Sequence, residues 1–384
     1  MRSLYADYNA TTPVDPEVRA AMDDALGASF GNPSSLHSAG QEARRLVERA
    51  RAQVAGLVGA ATDEIVFTSG GTEADNLAVL GVVAAAPHGR GAVVTSAVEH
   101  HAVLDACAFL RGQGRKVTFL PVDGEGRIDA DALAASAAPD VALFSLMLAN
   151  NETGVILPAA EVVKIAKLAM ACGALMHTDA VQAAGKLPID VQTLGVSLLS
   201  LSSHKLHGPK GAGALYVRRG VRLSPLVYGG RQERSLRPGT ENVPAIVGFG
   251  KACELAVARM VADNLRVVGL RDRFESQVLT RVRGTRVNGG GERLPGTSNI
   301  AFAGLDGEAI TINLDMLDMA VSTGAARSAA DKTPSHVLVA MGQTAAEART
   351  AVRFSFGRET TDEDIERGVN LVVDAGKRVR EARP

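Results

Sequence analysis

Short apolar runs alternate with amphipathic stretches through the first two-thirds of the chain. The runs predict strands at residues 64–68, 92–96, 117–122, 141–147, 174–177, 197–201 and 213–217. Between them, the spacing of apolar positions predicts helices such as 74–86, 101–112 and 159–171. This alternation is typical of βαβ units, in which a mostly parallel sheet carries helices on both faces. The predicted fold class is therefore α/β.

The pattern changes towards the C-terminal end of the chain. A long helical stretch over residues 244–282 is followed by strands at 298–302 and 352–356 among further helices. We therefore predict two domains. The large domain covers residues 16–260, and a smaller α+β domain combines residues 1–15 with 261–384.

Composition and charge exclude several classes of partner. Of the 384 residues, 46% are hydrophobic and 22% charged, and the net charge is -1. A balance so close to neutral argues against nucleic acid or an anionic membrane as the main partner. No apolar stretch approaches the length that spans a bilayer, and Asp7 interrupts the segment where a signal peptide needs its apolar core. The predicted location is the cytoplasm.

The three cysteines give no sign of a disulfide or a metal site. Cys107, Cys172 and Cys253 are far apart and lack CxxC spacing. Each lies in an apolar helical context, where a free cysteine usually packs as a small core residue. We predict three core thiols and no metal.

Lys205 stands at the end of an apolar run and leads into a loop of small residues. The run 197–201 predicts a buried strand, and Gly208-Pro209 predicts a turn just beyond the lysine. An ammonium at the carboxyl edge of a sheet, close to apolar walls, has a pKa that is easily lowered, and its amine can attack a carbonyl. Taken alone, a lysine pointing into water is the simpler interpretation.

A second strand end predicts a phosphate cradle. Residues 69–76, Ser-Gly-Gly-Thr-Glu-Ala-Asp-Asn, follow the strand 64–68 and open a helix. Gly71 permits close backbone approach, and the helix start at Thr72 offers free N–H groups and a positive dipole end. The alternative is an ordinary turn in which Thr72 caps the helix. The spacing does not match the dinucleotide fingerprint, which disfavours a nicotinamide cofactor.

Three further strand ends carry polar side chains. Asp179 lies where it could pair with a protonated ring nitrogen, although it could equally cap a helix. His100 could stack on a flat ring or shuttle protons, whereas we expect His101 to be a polar loop residue. Asn151 brings an amide to the same edge. Together with Lys205, these groups describe a site for an anionic aromatic aldehyde held as a Schiff base, which is pyridoxal 5′-phosphate (PLP).

Several long motifs occur in the same order along this chain as in a known enzyme family. They are Asp-Tyr-Asn-Ala-Thr-Thr-Pro at 7–13, Gly-Asn-Pro-Ser-Ser-Leu-His at 31–37, Gly-Gly-Arg-Gln-Glu at 229–233, Arg-Pro-Gly-Thr-Glu-Asn at 237–242, and the strand-end segments above. Over nearly its whole length the chain resembles the NifS/IscS cysteine desulfurases of the class V aminotransferase superfamily. The resemblance implies PLP fold type I, with a mostly parallel seven-stranded sheet in the large domain, and a homodimer with shared active sites.

The resemblance also implies a role for individual residues. Lys205 would form the Schiff base and take the Cα proton, and His100 would stack over the ring as the second catalytic residue. The remaining cofactor contacts would be Gly71, Thr72, Asn151, Asp179 at the pyridine nitrogen, Gln182 at the ring hydroxyl, Ser202, His204, and Thr240 from the second subunit. Asn151 and Arg353 would position a small amino-acid substrate, with the arginine gripping its α-carboxylate.

One position departs from the family pattern. In Val-Ser-Thr-Gly-Ala-Ala-Arg-Ser at 321–328, Arg327 stands where the family has its nucleophilic cysteine. A guanidinium stays protonated and has no lone pair to offer, so it cannot attack sulfur. We therefore predict a β-lyase or aminotransferase-type reaction on an acidic or sulfur-containing amino acid. Arg327 would either add an anion site beside Arg353 or lie on a solvated loop and contact nothing.

Two alternatives stay open at this point. The chain could be a true cysteine desulfurase that uses an external thiol, or a non-catalytic dimeric paralogue that serves as a binding or scaffold subunit. The retained lysine, aspartate and arginine argue against a scaffold. The sequence ends soon after its last helical stretch, whereas a longer tail helps the housekeeping desulfurases dock an iron–sulfur scaffold protein. That partnership is therefore not supported by the sequence.

Overall fold

The computed structural model describes residues 3–323 and 333–381. Its strands, in chain order, are β1 Leu4–Tyr5, β2 Ile65–Thr68, β3 Ala92–Ser96, β4 Val117–Leu120, β5 Val141–Ser145, β6 Leu175–Asp179, β7 Leu198–Ser202, β8 Gly213–Val217, β9 Thr285–Val287, β10 Thr297–Phe302, β11 Met319–Ala320 and β12 Ala351–Ser355. Its α-helices are α1 Pro16–Gly27, α2 Ser38–Val58, α3 Gly71–Ala85, α4 His101–Gly112, α5 Ala130–Ala135, α6 Ala159–Ala171, α7 Val191–Leu194, α8 Val243–Arg281, α9 Gly307–Met316, α10 His336–Ala340, α11 Ala345–Ala348 and α12 Asp362–Glu381.

A seven-stranded sheet with the order β2-β8-β7-β6-β5-β3-β4 organises the larger part of the described chain. Only β8 runs antiparallel to its neighbours, and the other pairs are parallel. Strands β5 and β7 are buried along their whole length, as expected for a sheet covered by helices on both faces. The predicted α/β class and the seven-stranded, mostly parallel sheet are confirmed.

The strand ends differ from the predicted bounds in an informative way. Strand β6 continues to Asp179 and β7 to Ser202, because the backbone pairing extends into the polar residues. Strand β5 instead stops at Ser145, and the N–H of Met147 donates to the Glu99 side chain. Hydrophobic pattern alone places a strand end at the change of polarity, whereas hydrogen bonding decides where the strand actually ends.

A second core forms around the antiparallel sheet β12-β10-β9 and the parallel pair β1-β11. Helix α8, 39 residues long, runs through both cores: Phe249 and Cys253 belong to the core of the large sheet, and Phe274 and Val278 belong to the second core. Because this helix continues without a break, the division into residues 16–260 and 1–15 with 261–384 stays a prediction.

The cysteines occupy two kinds of position. Cys107 and Cys253 are buried, as predicted. Cys172 is only half-buried at the C-terminal end of α6, where its thiol donates to the carbonyl of Ala169. Cys172 packs against the main core but is only partly buried, since it lies just beyond the last residue of α6, so the prediction of a core residue holds only in part. Within residues 3–323 and 333–381, no helix is long and apolar enough to cross a bilayer.

Replacing Phe274 by alanine should destabilise the second core. Its ring is fully buried and packs against Phe354 and Phe356, with centroids 4.9 and 5.0 Å away. Loss of a buried aromatic ring costs roughly 3–5 kcal/mol, so the urea midpoint followed by circular dichroism should fall clearly. The control, Leu265→Ala, lies on the same helix but is 80% exposed and should shift the midpoint little. Equal shifts would contradict this description of the core.

Candidate active site

The carboxyl ends of the large sheet's strands meet at a cavity of about 410 Å³. Ten of the residues that the sequence singled out line it: Gly71, Thr72, His100, Asn151, Asp179, Gln182, Ser202, His204, Lys205 and Arg353. They come from β6, β7, β12, the starts of α3 and α4, and connecting turns. Parallel strands end at one edge of a sheet, and open α/β folds bind ligands at such an edge.

Lys205 ends a short 3-10 turn that directly follows β7. Its amine donates to the backbone carbonyls of Asn9 at 2.5 Å and Ala10 at 2.7 Å, both in the N-terminal arm. Burial lowers the pKa of Lys205 to about 8, and Arg353 lowers it further, while nearby carboxylates partly offset both effects. The lysine therefore does not point into water. Roughly one-tenth of its amine is unprotonated at pH 7, far more than for a lysine in water.

Asp179 ends β6 and is almost completely buried, with 6% of its surface exposed. Its Oδ1 accepts the N–H of Val181 at 2.8 Å. Burial raises its pKa to about 6, against the opposing effects of the Val181 N–H and of Lys205. The alternative, a helix cap, was wrong, because residues 181–183 form a turn and not a helix. The carboxyl also lines the cavity.

His100 caps α4 and faces the cavity. Its Nδ1 accepts the N–H of Ala102 at 3.1 Å, which leaves the proton of the neutral ring on Nε2. Burial lowers the pKa of His100, and Lys205 and His336 add to the effect. The ring is therefore neutral at neutral pH and presents an N–H donor.

The expectation that His101 is a polar loop residue was wrong. It is the first residue of α4, lines the cavity, and packs its ring against His336 at a centroid distance of 4.6 Å. His336 in turn donates from Nε2 to the carbonyl of Glu99 at 2.9 Å. Sequence reasoning missed His336 because 235 positions separate it from His101 and only the fold brings the two rings together.

Arg353 lies on β12 and is 2% exposed. Its Nη1 donates to the backbone carbonyl of Asn151 at 3.0 Å, and its Nη2 donates to Asp7 Oδ1 at 2.8 Å. Its Nε has no hydrogen-bond partner among the described residues. A buried guanidinium with an unused donor next to a cavity is suited to bind a carboxylate.

The start of α3 is open to an anion. Gly70 precedes the helix and provides no side-chain cap, so the first N–H groups are not taken by a capping side chain. A Cβ on Gly71 would come within 2.7 Å of Val181 Cγ2, so glycine is required for the helix to approach the turn after β6. Thr72 and Ser202 line the cavity at this point.

Two residues singled out by the sequence remain untested. Thr240 is exposed and does not line the cavity, and its proposed contact with a second subunit stays a prediction. Arg327 lies outside the described residues.

The structure adds buried acids that sequence reasoning missed. Asp75 on α3 is 1% exposed and lines the cavity, and Glu152 lines it as well, accepting a hydrogen bond from Ser335 at 2.5 Å. A signal for Asp75 was present: it is the only charged residue in the stretch 74–86, which is otherwise mostly apolar. An isolated acid in a buried helix is expected to have a specific partner or role.

Comparison with known proteins identifies the family. The model for "Aminotransferase class-V" matches residues 4–367. The chain is 46% identical to the cysteine desulfurase IscS of Dictyoglomus turgidum, covering 99% of this chain and 95% of that protein. It is 49% identical to a cysteine desulfurase of Sinorhizobium fredii, covering 100% and 99%. A solved NifS-like protein superposes with a TM-score of 0.90 at 35% identity, covering 97% and 98% of the two chains.

The chain belongs to the class-V aminotransferases and, among them, to the NifS/IscS cysteine desulfurase family. It has PLP fold type I and is a PLP-dependent enzyme. The residues present fit this cofactor. The cavity offers a half-buried amine, a buried carboxyl and a helix start where no Cβ could be accommodated. These groups match, respectively, an aldehyde, a protonated ring nitrogen and a phosphate.

The amine of Lys205 should become reactive at a lower pH than a surface lysine. In the cofactor-free protein, its acylation rate should rise with a midpoint at about pH 8, because only the unprotonated amine is nucleophilic. Lysine in water has its midpoint near ~10.4. Brief labelling over a pH series, followed by mass spectrometry of the peptide that contains Lys205, measures this midpoint. A midpoint above ~10 would show that the site does not perturb the amine.

Proposed function

We propose that this enzyme binds PLP through Lys205 and converts a small amino acid without forming a persulfide on its own chain. The outcome would be a β-lyase or aminotransferase-type reaction on a sulfur-containing or acidic amino acid. One observation supports the proposal above the others. The Lys205 amine, the Asp179 carboxyl and the Arg353 guanidinium, three groups that such an enzyme needs, line one cavity.

The cofactor-binding roles are assigned from the position of each group. Asp179 would face the ring nitrogen, Gln182 the ring hydroxyl, and His100 one face of the ring. Thr72, Ser202 and His204 would bind the phosphate near the open start of α3, together with Thr240 from a second subunit. When bound, PLP supplies an aldehyde that condenses with amines and a ring that accepts the electron pair released at Cα.

Arg353 would bind the substrate's α-carboxylate. Its two Nη atoms are already oriented by the carbonyl of Asn151 and the carboxylate of Asp7. A guanidinium carries five N–H donors, so those that Asn151 and Asp7 do not use would pair with the carboxylate. Because Asp7 and Asn151 hold the guanidinium in place, little side-chain entropy is lost when the substrate binds.

Lys205 and His100 would move protons. With a pKa of about 8, roughly one-tenth of the Lys205 amine is unprotonated at pH 7 in the cofactor-free protein. The carbonyls of Asn9 and Ala10 hold this amine at the cavity, where it can take a proton from Cα. His100, whose Nε2 carries a proton, can donate to a departing group or stabilise its charge.

The reaction outcome rests on the sequence at position 327. The family's cysteine would accept sulfur, and Arg327 cannot. Elimination from cysteine with hydrolysis would give pyruvate, ammonia and sulfide, and transamination would give a keto acid. The relatives compared above are named cysteine desulfurases, so the comparisons do not support elimination or transamination over desulfuration.

The names of these relatives favour a second candidate function, a cysteine desulfurase that uses an external thiol. In a desulfurase that uses an external thiol, cysteine and the thiol would yield alanine and the persulfide of that thiol. The α-carboxylate contact with Arg353 and proton transfer by Lys205 would be the same in both cases. The homodimer and the cytoplasmic location stay predictions, as does the choice of substrate.

Arg353→Gln should weaken amino-acid binding without weakening cofactor binding. Loss of a charge-assisted carboxylate contact removes roughly 1.5–3 kcal/mol, which is about 10- to 150-fold in the dissociation constant. The measurement is a titration of the PLP-loaded enzyme with cysteine and with alanine, followed through the visible absorption of the cofactor. Arg219→Gln is the matched control, because this surface arginine pairs with Asp63 and does not line the cavity. Similar losses in both variants would contradict the assignment of Arg353.

Arg327→Cys should change the products formed from cysteine. With Arg327 in place, we expect sulfide and pyruvate in a fixed ratio and no alanine in the absence of an added thiol, because no thiol on the chain replaces the missing cysteine. The substitution should introduce alanine formation and a persulfide on the new thiol, detected by alkylation and mass spectrometry. Arg327→Ser is the control and should give neither.

Three results would overturn the lyase outcome. Alanine formed by the unmodified enzyme only when a thiol is added would favour the external-thiol desulfurase. Alanine formed without added thiol would show that persulfide chemistry does not need a cysteine at position 327. A keto acid formed without sulfide would instead favour the aminotransferase outcome.

A further inference from the structure

A second buried carboxyl lines the cavity that contains Asp179. Asp75 is fixed on α3, is 1% exposed, and lines the same cavity. Its Oδ1 is buried and has no hydrogen-bond partner among the described residues. None of the roles assigned above uses this side chain. The Ser200 hydroxyl is the one donor that favours its charged form. A buried carboxylate with so little compensation is costly, so Asp75 needs either a positive neighbour or a proton of its own.

His177 is the nearest group that could carry a positive charge, with Nε2 3.6 Å from Asp75 Oδ1. Both of its ring nitrogens are already engaged by hydroxyl groups: Nδ1 lies 2.8 Å from Ser145 Oγ, and Nε2 lies 2.9 Å from Ser200 Oγ. The ring is completely buried, and burial lowers the pKa of His177 to about 3. His177 is therefore neutral near pH 7 and supplies no counter-charge.

The other charged groups around Asp75 also disfavour its ionisation. Burial raises its pKa well above the ordinary value, and the negative charges of Asp179 and Glu99 add to this; only the Ser200 hydroxyl acts in the opposite direction. Asp179 differs because it accepts the N–H of Val181 and is also influenced by Lys205. Two carboxyls in one buried site cannot both ionise cheaply, so the one with donors becomes the carboxylate.

We propose that Asp75 is a positioning residue that carries the proton of a two-carboxyl unit, so that Asp179 holds the single negative charge at the ring-nitrogen end of the site. The part of this role that concerns PLP rests on the proposed function. The two carboxyls together hold one proton, on a buried oxygen of Asp75. When a ring nitrogen docks at Asp179, that proton can leave the Asp75 oxygen and end on the nitrogen. Both carboxyls are then ionised around one positive charge, and no proton comes from the buffer.

The protonation of Asp75 can be measured in the cofactor-free protein. At pH 7, the infrared difference between the unmodified protein and Asp75→Asn should show the loss of one protonated-carboxyl C=O band. Asp105→Asn is the control for an exposed acid, since its side chain is 75% exposed. Glu99→Gln and Glu152→Gln account for two other buried acids whose pKa burial raises, that of Glu99 to about 8. Loss of the band only in the Glu99 or Glu152 variant would overturn the proposal and leave Asp75 ionised against a protonated His177.

If Asp75→Asn does not fold, a measurement on the unmodified protein still tests the protonation of Asp75. With aspartate labelled by ¹³C at the side-chain carboxyl, one buried aspartate signal should keep its protonated chemical shift at pH 7. If every aspartate signal has the ionised shift at that pH, the proposal is wrong. The circular dichroism and melting midpoint of Asp75→Asn show whether the infrared comparison is between folded proteins.

Proton uptake on PLP binding tests separately whether Asp75 supplies the proton to the ring nitrogen. Calorimetry of PLP binding in two buffers of different ionisation enthalpy gives the number of protons taken up. At a pH where the ring nitrogen of free PLP carries no proton, Asp75→Asn should take up about one proton more than the unmodified protein. Equal uptake would overturn the proton-store role. Failure of the unmodified protein to bind PLP would overturn the proposed function, while the infrared and ¹³C measurements decide the protonation of Asp75 in either case.

Discussion

Burial of ionisable side chains at one edge of the large sheet is the constraint on which the rest of the site depends. Lys205, Asp179, Arg353 and Asp75 would each be unremarkable in water. Buried around one cavity, their charges are costly, so each group depends on the partners that the fold supplies. The same burial lowers the pKa of Lys205 and raises that of Asp179. The nucleophilic amine of Lys205 and the raised pKa of Asp179 therefore have the same cause.

The N-terminal arm completes the site by connecting the two cores. The carbonyls of Asn9 and Ala10 hold the Lys205 amine, and the Asn9 side chain donates to Thr297 Oγ1 and to the carbonyl of Asn151. Asp7 orients Arg353 on β12. The arm therefore fixes the distance between the amine that would react with the cofactor and the guanidinium that would bind the substrate, and its contacts tie activity to the packing of the second core.

Much of the fold and cofactor site could be predicted from sequence because the signals are local. Alternation of apolar runs and helical spacing gives the sheet, and a polar residue just after a buried run marks its carboxyl edge. Contacts between distant segments have no such signal. The pairing of His101 with His336, the carbonyl partners of Lys205 and the neighbourhood of Asp75 depend on which strands are adjacent. The partial exposure of Cys172 has no local signal either: α6 ends at Ala171 as predicted, and the burial of the next residue depends on which segments pack around that end.

The central claim is that Lys205 is the amine that holds PLP, and a direct test is to reduce the PLP-loaded protein with borohydride and map the modified peptide. Lys186 is the natural competitor, because its amine donates to Gln182 at 3.1 Å and burial lowers its pKa to about 7. The structure predicts modification at Lys205, and predicts that Lys205→Ala abolishes it while Lys186→Ala does not. Modification at Lys186, or equal labelling of surface lysines, would contradict this account of the site.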